Sequence, residues 1–549
     1  MLIRVQGVER ADRELLDAGA VVGHLVAEGS VFAFLAEHRG RVFPDGEFAD
    51  LFPSGLGRPS MPAPVAATLL TLQTLFDMSD GEVAEAARCD LRWKVATGVA
   101  LDDKGFHPST LVYWRRRLAK SARPHRINDA IRKIVDETGI LRGKRRRAID
   151  STILDDAVAT QDTVTQLIAA IRRVGRQVPG AAETIAKVCA GHDYSQPGKP
   201  RIDWDDEVAR DALVSALVND ANAVVAALSD ADLDELAQDA VALLALVAGQ
   251  DVEPAEGSDG ADGRWRIAQR VAEDRVISTV DPEARHARKS QHARRDGYRA
   301  HVVAEPQTGI ITDEQLTKAA GEDNADPAVA QQFIKADVAT REQTDPEVAP
   351  AQVPDGDDDQ PGAQREWYGD SAYGTADLRE QIESAGDTAV LKPKPLQSAV
   401  KGGFTVDDFT VNEPDNTVTC PAGNTRPISR TRVATFGALC RDCPLQAQCT
   451  TSKTGRKIVL QRRDDLLRQA RRDWRDNPDL REQYRRHRPN VERVISQLAS
   501  RGGRRIKLRY RGTTTNNAWL KRRTAALNLR NLIGRGLRAT TAGWRLATA

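Results

Sequence analysis

Apolar positions recur at helical spacing through the first part of the chain. Pro62 suits the start of a helix, and Val65, Leu69, Leu70, Leu72 and Leu75 continue the pattern to Phe76. Ser79 followed three positions later by Glu82 reads as the capping box of a second helix. The run Phe106 to Leu118 predicts a Ser or Thr cap and then a helix that mixes aromatics with Arg115, Arg116 and Arg117. Residues 1–140 therefore read as an all-α N-terminal domain suited to DNA binding or assembly.

The pattern changes after Lys144. A basic run leads into β-branched residues, predicting a strand that ends near Asp150. From 158 to 250 helical spacing returns, with Val208, Ala212, Leu213, Ala216, Leu217, Ala221, Val224, Val225 and Leu228 on one face. An acidic, glycine-rich stretch from Glu253 to Gly263 reads as a linker closing this all-α insertion, 158–265 in all. Strand character follows at Arg275 to Thr279, and at Gly297 to Ala304, which forms a hairpin with Ile310 to Thr312 across the turn Pro306 to Gly309. A helix is predicted near 326–340 and a loop from Gln343 to Gln364. Trp367 to Asp370 reads as a strand end, Thr375 to Ala385 as a helix, and Thr388 to Lys392 as another strand. Strands alternating with helices imply an α/β core over 141–540, and no internal repeat is visible.

Composition alters this picture little. The 549 residues are 40% hydrophobic, 29% charged and 5% aromatic, as in a soluble protein of two or three compact units. The N-terminal sequence has no basic region leading into an apolar stretch, and no long apolar run occurs, so a cytoplasmic location is expected. Charge matters more. The net charge is +1, yet residues 451–549 hold 27 Lys and Arg against 7 Asp and Glu, leaving the preceding part about −19. So one-sided a basic end calls for a polyanion, and nucleic acid fits. Arg504, Arg505, Lys507, Arg509 and Arg511 interleave with Tyr510, a pattern suited to a DNA backbone, and Lys289 with His286 and Arg288 stands ahead of the predicted hairpin.

Three acids stand out. Hard divalent ions take carboxylate oxygens, and Asp150 and Asp370 sit where strand ends would aim them into a cleft. Pro489 suits the first position of a helix, which would put Glu492 in the first turn, where the helix dipole favours a charged carboxylate. Cys420, Cys440, Cys443 and Cys449 form a C-x19-C-x2-C-x5-C cluster. Cys420-Pro-Ala-Gly and Cys443-Pro resemble the knuckles of tetrahedral thiolate sites, so a structural Zn²⁺ lobe is expected over 415–455. Cys89 and Cys189 read as small buried hydrophobes.

Ala148-Ile-Asp-Ser-Thr, Tyr368-Gly-Asp-Ser-Ala-Tyr-Gly and Arg488-Pro-Asn-Val-Glu-Arg-Val-Ile resemble, in order, the three acidic blocks of insertion-sequence DDE transposases. Asp281 to Ser290, Asp296 to His301 and Ala525 to Leu532 match in order as well. The likeness is greatest to the insertion sequence 1182 family. It implies a ribonuclease-H-like core, catalytic Asp150, Asp370 and Glu492 with two Mg²⁺ or Mn²⁺ ions, and recognition of terminal inverted repeats and target double-stranded DNA. Because an element has two ends, a homodimer on DNA is expected. The resemblance also implies DNA contacts from Arg488 and Arg501, and the N-terminal helix adds Arg115 and Arg117. Two positions depart from the family. Arg485 stands where a Tyr is expected, with Tyr484 one residue early, and Ala499 stands where a basic residue is expected, with Arg501 nearby. They leave room for a catalytically silent DNA-binding descendant. A nuclease without strand transfer also fits the acids, whereas a sugar hydrolase does not fit the basic end.

Overall fold

The computed structural model describes residues 4–7, 16–54, 56–269, 272, 274–288, 294–343 and 364–547. Lys289 and the loop expected between Gln343 and Gln364 lie outside the described residues. Its centre is a mixed sheet. The strand Arg146–Asp155 pairs antiparallel with Arg294–Ala304, which in turn pairs antiparallel with Ile311–Lys318 and Arg285–Arg288. On its other edge Arg146–Asp155 runs parallel to Glu366–Gly369, which runs parallel to Thr388–Leu391. The predicted hairpin is present.

The side-chain alternation of the strands divides two cores. Ala148, Leu154, Val302, Tyr368 and Val390 join one hydrophobic cluster with the N-terminal helices and the helices Pro478–Ala499 and Thr513–Gly534. Ile149, Val303, Trp367 and Leu391 face the other way, towards the helices Asp326–Gln343 and Ala376–Ser384. The edge strand Ile311–Lys318 is closed by the last long helix. Asn528 accepts from the Ile311 amide and donates to its carbonyl, while Asn517 accepts from the Leu316 amide, so the open edge finds its partners in side chains. Arg523, buried, donates to the carbonyls of Thr74, Leu75 and Gln497 and so ties three helices together.

The N-terminal helices follow expectation at Ala63–Phe76 and Asp80–Cys89, the latter with the Ser79–Glu82 capping box. The helix Ser109–Lys120 differs: Pro108 holds the cap position, and the Ser109 hydroxyl bonds His107 Nδ1 at 2.8 Å. The insertion holds the helices Thr163–Gln177, Ala181–Val188, Glu207–Ala227 and Glu235–Gln250 around a core of its own. The stretch read as a linker folds into a hairpin, Val252–Pro254 against Trp265–Ile267, because Trp265 docks on Ser215 and Asn219.

Four further expectations are corrected. The strand around Asp150 does not end there but continues to Asp155, because each residue from Ala148 onward has a partner in 297–304. Residues 275–279 form no strand beyond a single bridge at Val276. Their backbone groups are taken by the side-chain amides of Gln161, Gln166 and Gln250 instead. The helix carrying Glu492 begins at Pro478, capped by Asn477, and passes through Pro489. An interior proline costs about 3 kcal/mol. Leu480, Tyr484, Val491, Val494 and Leu498, packed on the main core from both sides of Pro489, offset it. Cys89 is exposed, contrary to expectation, and Cys189 is half-buried, with burial pushing its thiol up to about 12. Among the described residues no helix is long and apolar enough to cross a membrane.

Candidate active site

Strand register brings the two aspartates level. Ala148 pairs with Tyr368, and continuing that parallel register two residues places Asp370 beside Asp150. Neighbouring strands lie about 4.8 Å apart. Asp150 shares the face of Ala148 and Leu154, against which the Pro478–Ala499 helix packs. Each aspartate spends one oxygen on its own backbone. Asp150 Oδ1 accepts from the Ser151 amide at 2.8 Å, and Asp370 Oδ1 from the Ala372 amide at 2.8 Å. Both second oxygens turn to one guanidinium: Arg488 Nη2 lies 3.1 Å from Asp150 Oδ2 and 3.9 Å from Asp370 Oδ2. Glu492, one helical turn on, brings Oε1 to 3.7 Å from Arg488 Nη1. The three sequence-predicted acids thus meet around one cation.

The cluster is graded in depth. The Arg488 side chain is 4% exposed and that of Asp150 14%, whereas Asp370 is 46% and Glu492 66% exposed. The site therefore opens towards Glu492. Burial raises the Asp150 carboxyl above its ordinary range, and Arg488 offsets only part of that. Burial alone would lower the Arg488 pKa, but Asp150, Tyr484 and Asp370 outweigh it and hold the guanidinium above its ordinary value. Glu492 owes nothing to a helix terminus, since it sits four turns into its helix. It faces the site because Tyr484, Arg488 and Glu492 follow one another at four-residue spacing on one helix face.

Tyr484 shares the helix face that carries Arg488 and Glu492. Tyr484 packs edge-on against Trp474 at 5.1 Å, and burial raises its hydroxyl, with Arg488, Asp370 and Glu492 as the charges that act on it. Arg485 points away, exposed, to Glu482 at 2.9 Å. A continuous helix was the missing signal, because Pro489 splits it in the sequence. Tyr373, three residues after Asp370 in the second acidic block, has no role assigned by the sequence. Its ring is buried, and its hydroxyl has no hydrogen-bond partner among the described residues. Burial first, then Asp326, Asp150 and Asp370, push that hydroxyl far up.

The arginines predicted to touch DNA separate into two groups. Arg488 is buried in the acid cluster. Arg115 donates to both oxygens of Asp80 and lies 5.2 Å from the Tyr510 ring, with its side chain 11% exposed. Arg117 donates to the Leu51 carbonyl and stacks 4.7 Å from both Phe52 and Tyr113. In this structure all three are engaged within the fold. Arg501 lies 4.6 Å over Phe76, with Asp77 and Glu82 as the acids that act on it, and Ala499 is buried. Arg504, Arg505, Lys507 and Arg509 lie exposed on a segment whose Ile506 and Leu508 are buried, so the alternation throws the cations outward. Arg505 reaches Asp155 at 3.4 Å and Arg509 the Asp77 carbonyl at 3.0 Å. The segment crosses the end of the central strand at Asp155, which is about 17 Å along that strand from Asp150. His286 is paired with Asp296.

The four clustered cysteines line one small apolar cavity of about 20 Å³. Cys420 and Asn424 close a tight turn by a 2.8 Å backbone bond, and the Arg456 amide donates to Cys440 Sγ at 3.4 Å. Burial and the other three cysteines raise the Cys449 thiol. Among the described residues no group of three or more His, Cys, Asp or Glu is spaced to hold an ion as it stands, and this holds for the thiols and for the acids alike.

No curated protein and no solved structure matches the chain. Residues 31–117, the N-terminal helices through Arg117, match the family described as Transposase domain (DUF772). Residues 419–533, from the cysteine lobe through Glu492 into the last long helix, match the family described as Transposase DDE domain. Two separate stretches of this chain are thus similar to transposase domains, and together they support an insertion-sequence transposase.

Proposed function

We propose that the chain is a DDE transposase, close to the insertion sequence 1182 family, that binds the terminal inverted repeats of a mobile element, cuts there and joins the freed end to target DNA. One observation carries the reading: Asp150, Asp370 and Glu492 converge on a single cationic position. The sheet has three long antiparallel strands, with the short Arg285–Arg288 added to the middle one, and then two parallel strands beside the first, an order that supports a ribonuclease-H-like core.

The donor set suits hard ions, since it offers carboxylate oxygens from two rigid strands and a helix. When bound there, Mg²⁺ or Mn²⁺ would supply an activated water or 3′-hydroxyl and neutralise the leaving oxygen. Asp150 and Asp370 would each lend the oxygen not tied to backbone, and Glu492 would complete the set from the open side. Arg504, Arg505, Lys507 and Arg509 would hold the DNA backbone, giving affinity without sequence. The four cysteines line one cavity and, as a set of four thiols, would suit a structural Zn²⁺ once drawn together around it. A homodimer on DNA, acting in the cytoplasm, completes the proposal.

Strand cleavage and joining on a labelled fragment with the element's own terminal repeat tests it. With Mg²⁺ or Mn²⁺, Asp150→Ala, Asp370→Ala and Glu492→Ala should each lose at least about 100-fold in cleavage while still binding the ends. Wild type that binds the ends but neither cuts nor joins would overturn the reading in favour of a silent DNA-binding protein.

A further inference from the structure

Arg488 is used by nothing in the reaction above, yet it occupies the centre of the site. Its guanidinium spreads its contacts, with Nη2 towards Asp150 and Asp370 and Nη1 towards Glu492. Nε and Nη1 are buried and lack a hydrogen-bond partner among the described residues. Three carboxylates around one guanidinium leave a net charge of −2 in a partly buried place. Without the arginine the charge would be −3, and the acids would repel one another apart. Because the acids meet different nitrogens, they are held around the width of a flat group, not drawn to one point. That is why they converge and yet form no ready cage for an ion.

We infer that Arg488 is a positioning residue, the resident counter-ion of the metal-free site. It preassembles Asp150, Asp370 and Glu492 and competes with a divalent ion for them. Asp150 and Asp370 would hold a divalent ion with oxygens that now face Nη2, so the guanidinium would have to yield them. The order of events is therefore exchange of one cation for another, never an empty cluster of three charges. The inference rests on the reading of these acids as a metal site.

Mn²⁺ binding by the full chain, measured by calorimetry and by paramagnetic resonance, tests both. Arg488→Gln should bind Mn²⁺ roughly tenfold more tightly than wild type, because the competitor is gone. In chelator it should melt several degrees lower, and saturating Mn²⁺ should close most of that gap. Arg488→Lys, which keeps the charge, should restore much of the wild-type melting in chelator. Arg488→Gln that is folded but binds Mn²⁺ no more tightly than wild type would overturn the counter-ion role and leave the metal reading intact. Asp150→Asn that binds Mn²⁺ as well as wild type would overturn the metal reading itself, and this inference with it. If Arg488→Gln does not fold, arginine-labelled wild type titrated with Mg²⁺ decides: the Arg488 Nε–H resonance, assigned with Arg488→Lys, should move, and a static resonance would refute the exchange.

Discussion

The acid cluster and the cysteine lobe both gather like ligands, but they keep them together by different means. The acids gather around a buried arginine that balances part of their charge. The cysteines share their cavity with Arg456, whose backbone amide donates to Cys440 Sγ. Burial raises the Cys449 thiol, with Arg456 opposing and the other three cysteines adding to it. The difference teaches that the acid cluster is held by a counter-ion, whereas the lobe rests on a small apolar core of Phe409, Phe436 and Ile458, to which the proposed ion would add.

Zinc removal should therefore have the largest effect. Purified protein is expected to carry one zinc per chain by elemental analysis, and Cys440→Ser with Cys443→Ser to lose it. Hydrogen exchange should then rise across 404–460, since structural zinc contributes on the order of 10 kcal/mol to small domains. Equal zinc content in both proteins would break the comparison.

A buried acid without a counter-ion sharpens it next. Asp156, 6% exposed, has neither oxygen at hydrogen-bonding geometry. Burial, then Asp281, push its carboxyl up to about 6, with the amides of Val158 and Ala157 pulling weakly the other way. A raised carboxyl pKa means that the stability is full below about pH 4, the unfolded value, and is lost as pH rises to about 6. Asp156→Asn should thus stabilise the fold by about 2–3 kcal/mol at pH 8 and by little at pH 4. Denaturant melts at both pH values check this, and a gain that does not depend on pH would contradict it.

The smallest effect concerns cations on the outside. Arg504→Ala with Lys507→Ala should leave melting unchanged, lower DNA affinity at low salt, and reduce the slope of log affinity against log salt by about 2. Arg115→Ala should do the reverse and cost stability, by about 3 kcal/mol, through the unpaired Asp80 it leaves behind. Melting curves and salt titrations of both variants separate surface cations from structural ones.

Much of this was legible in the residue pattern. Period-two and helical spacing located the Gly297 hairpin, the Trp367 strand and the insertion helices, and ordered motifs picked out all three acids. What was not legible depended on partners distant in sequence. Residues 275–279 have strand-like composition, but three glutamines elsewhere take their backbone groups. Pro489 looks like a helix start until both halves of its helix are seen to share one packed face.

By itself the sequence determined the chemistry available: which acids, thiols and cations exist, and the local periodicity that puts each on a strand, helix or turn, because these depend on neighbours within a few residues. Only the tertiary structure decided which charges meet. Sheet register set Asp150 level with Asp370, and helix packing turned Arg488 inward and Arg485 outward. Long-range contacts also turned Arg115 and Arg117 from surface cations into structural ones, since burial and pairing energies arise only when distant segments are brought together.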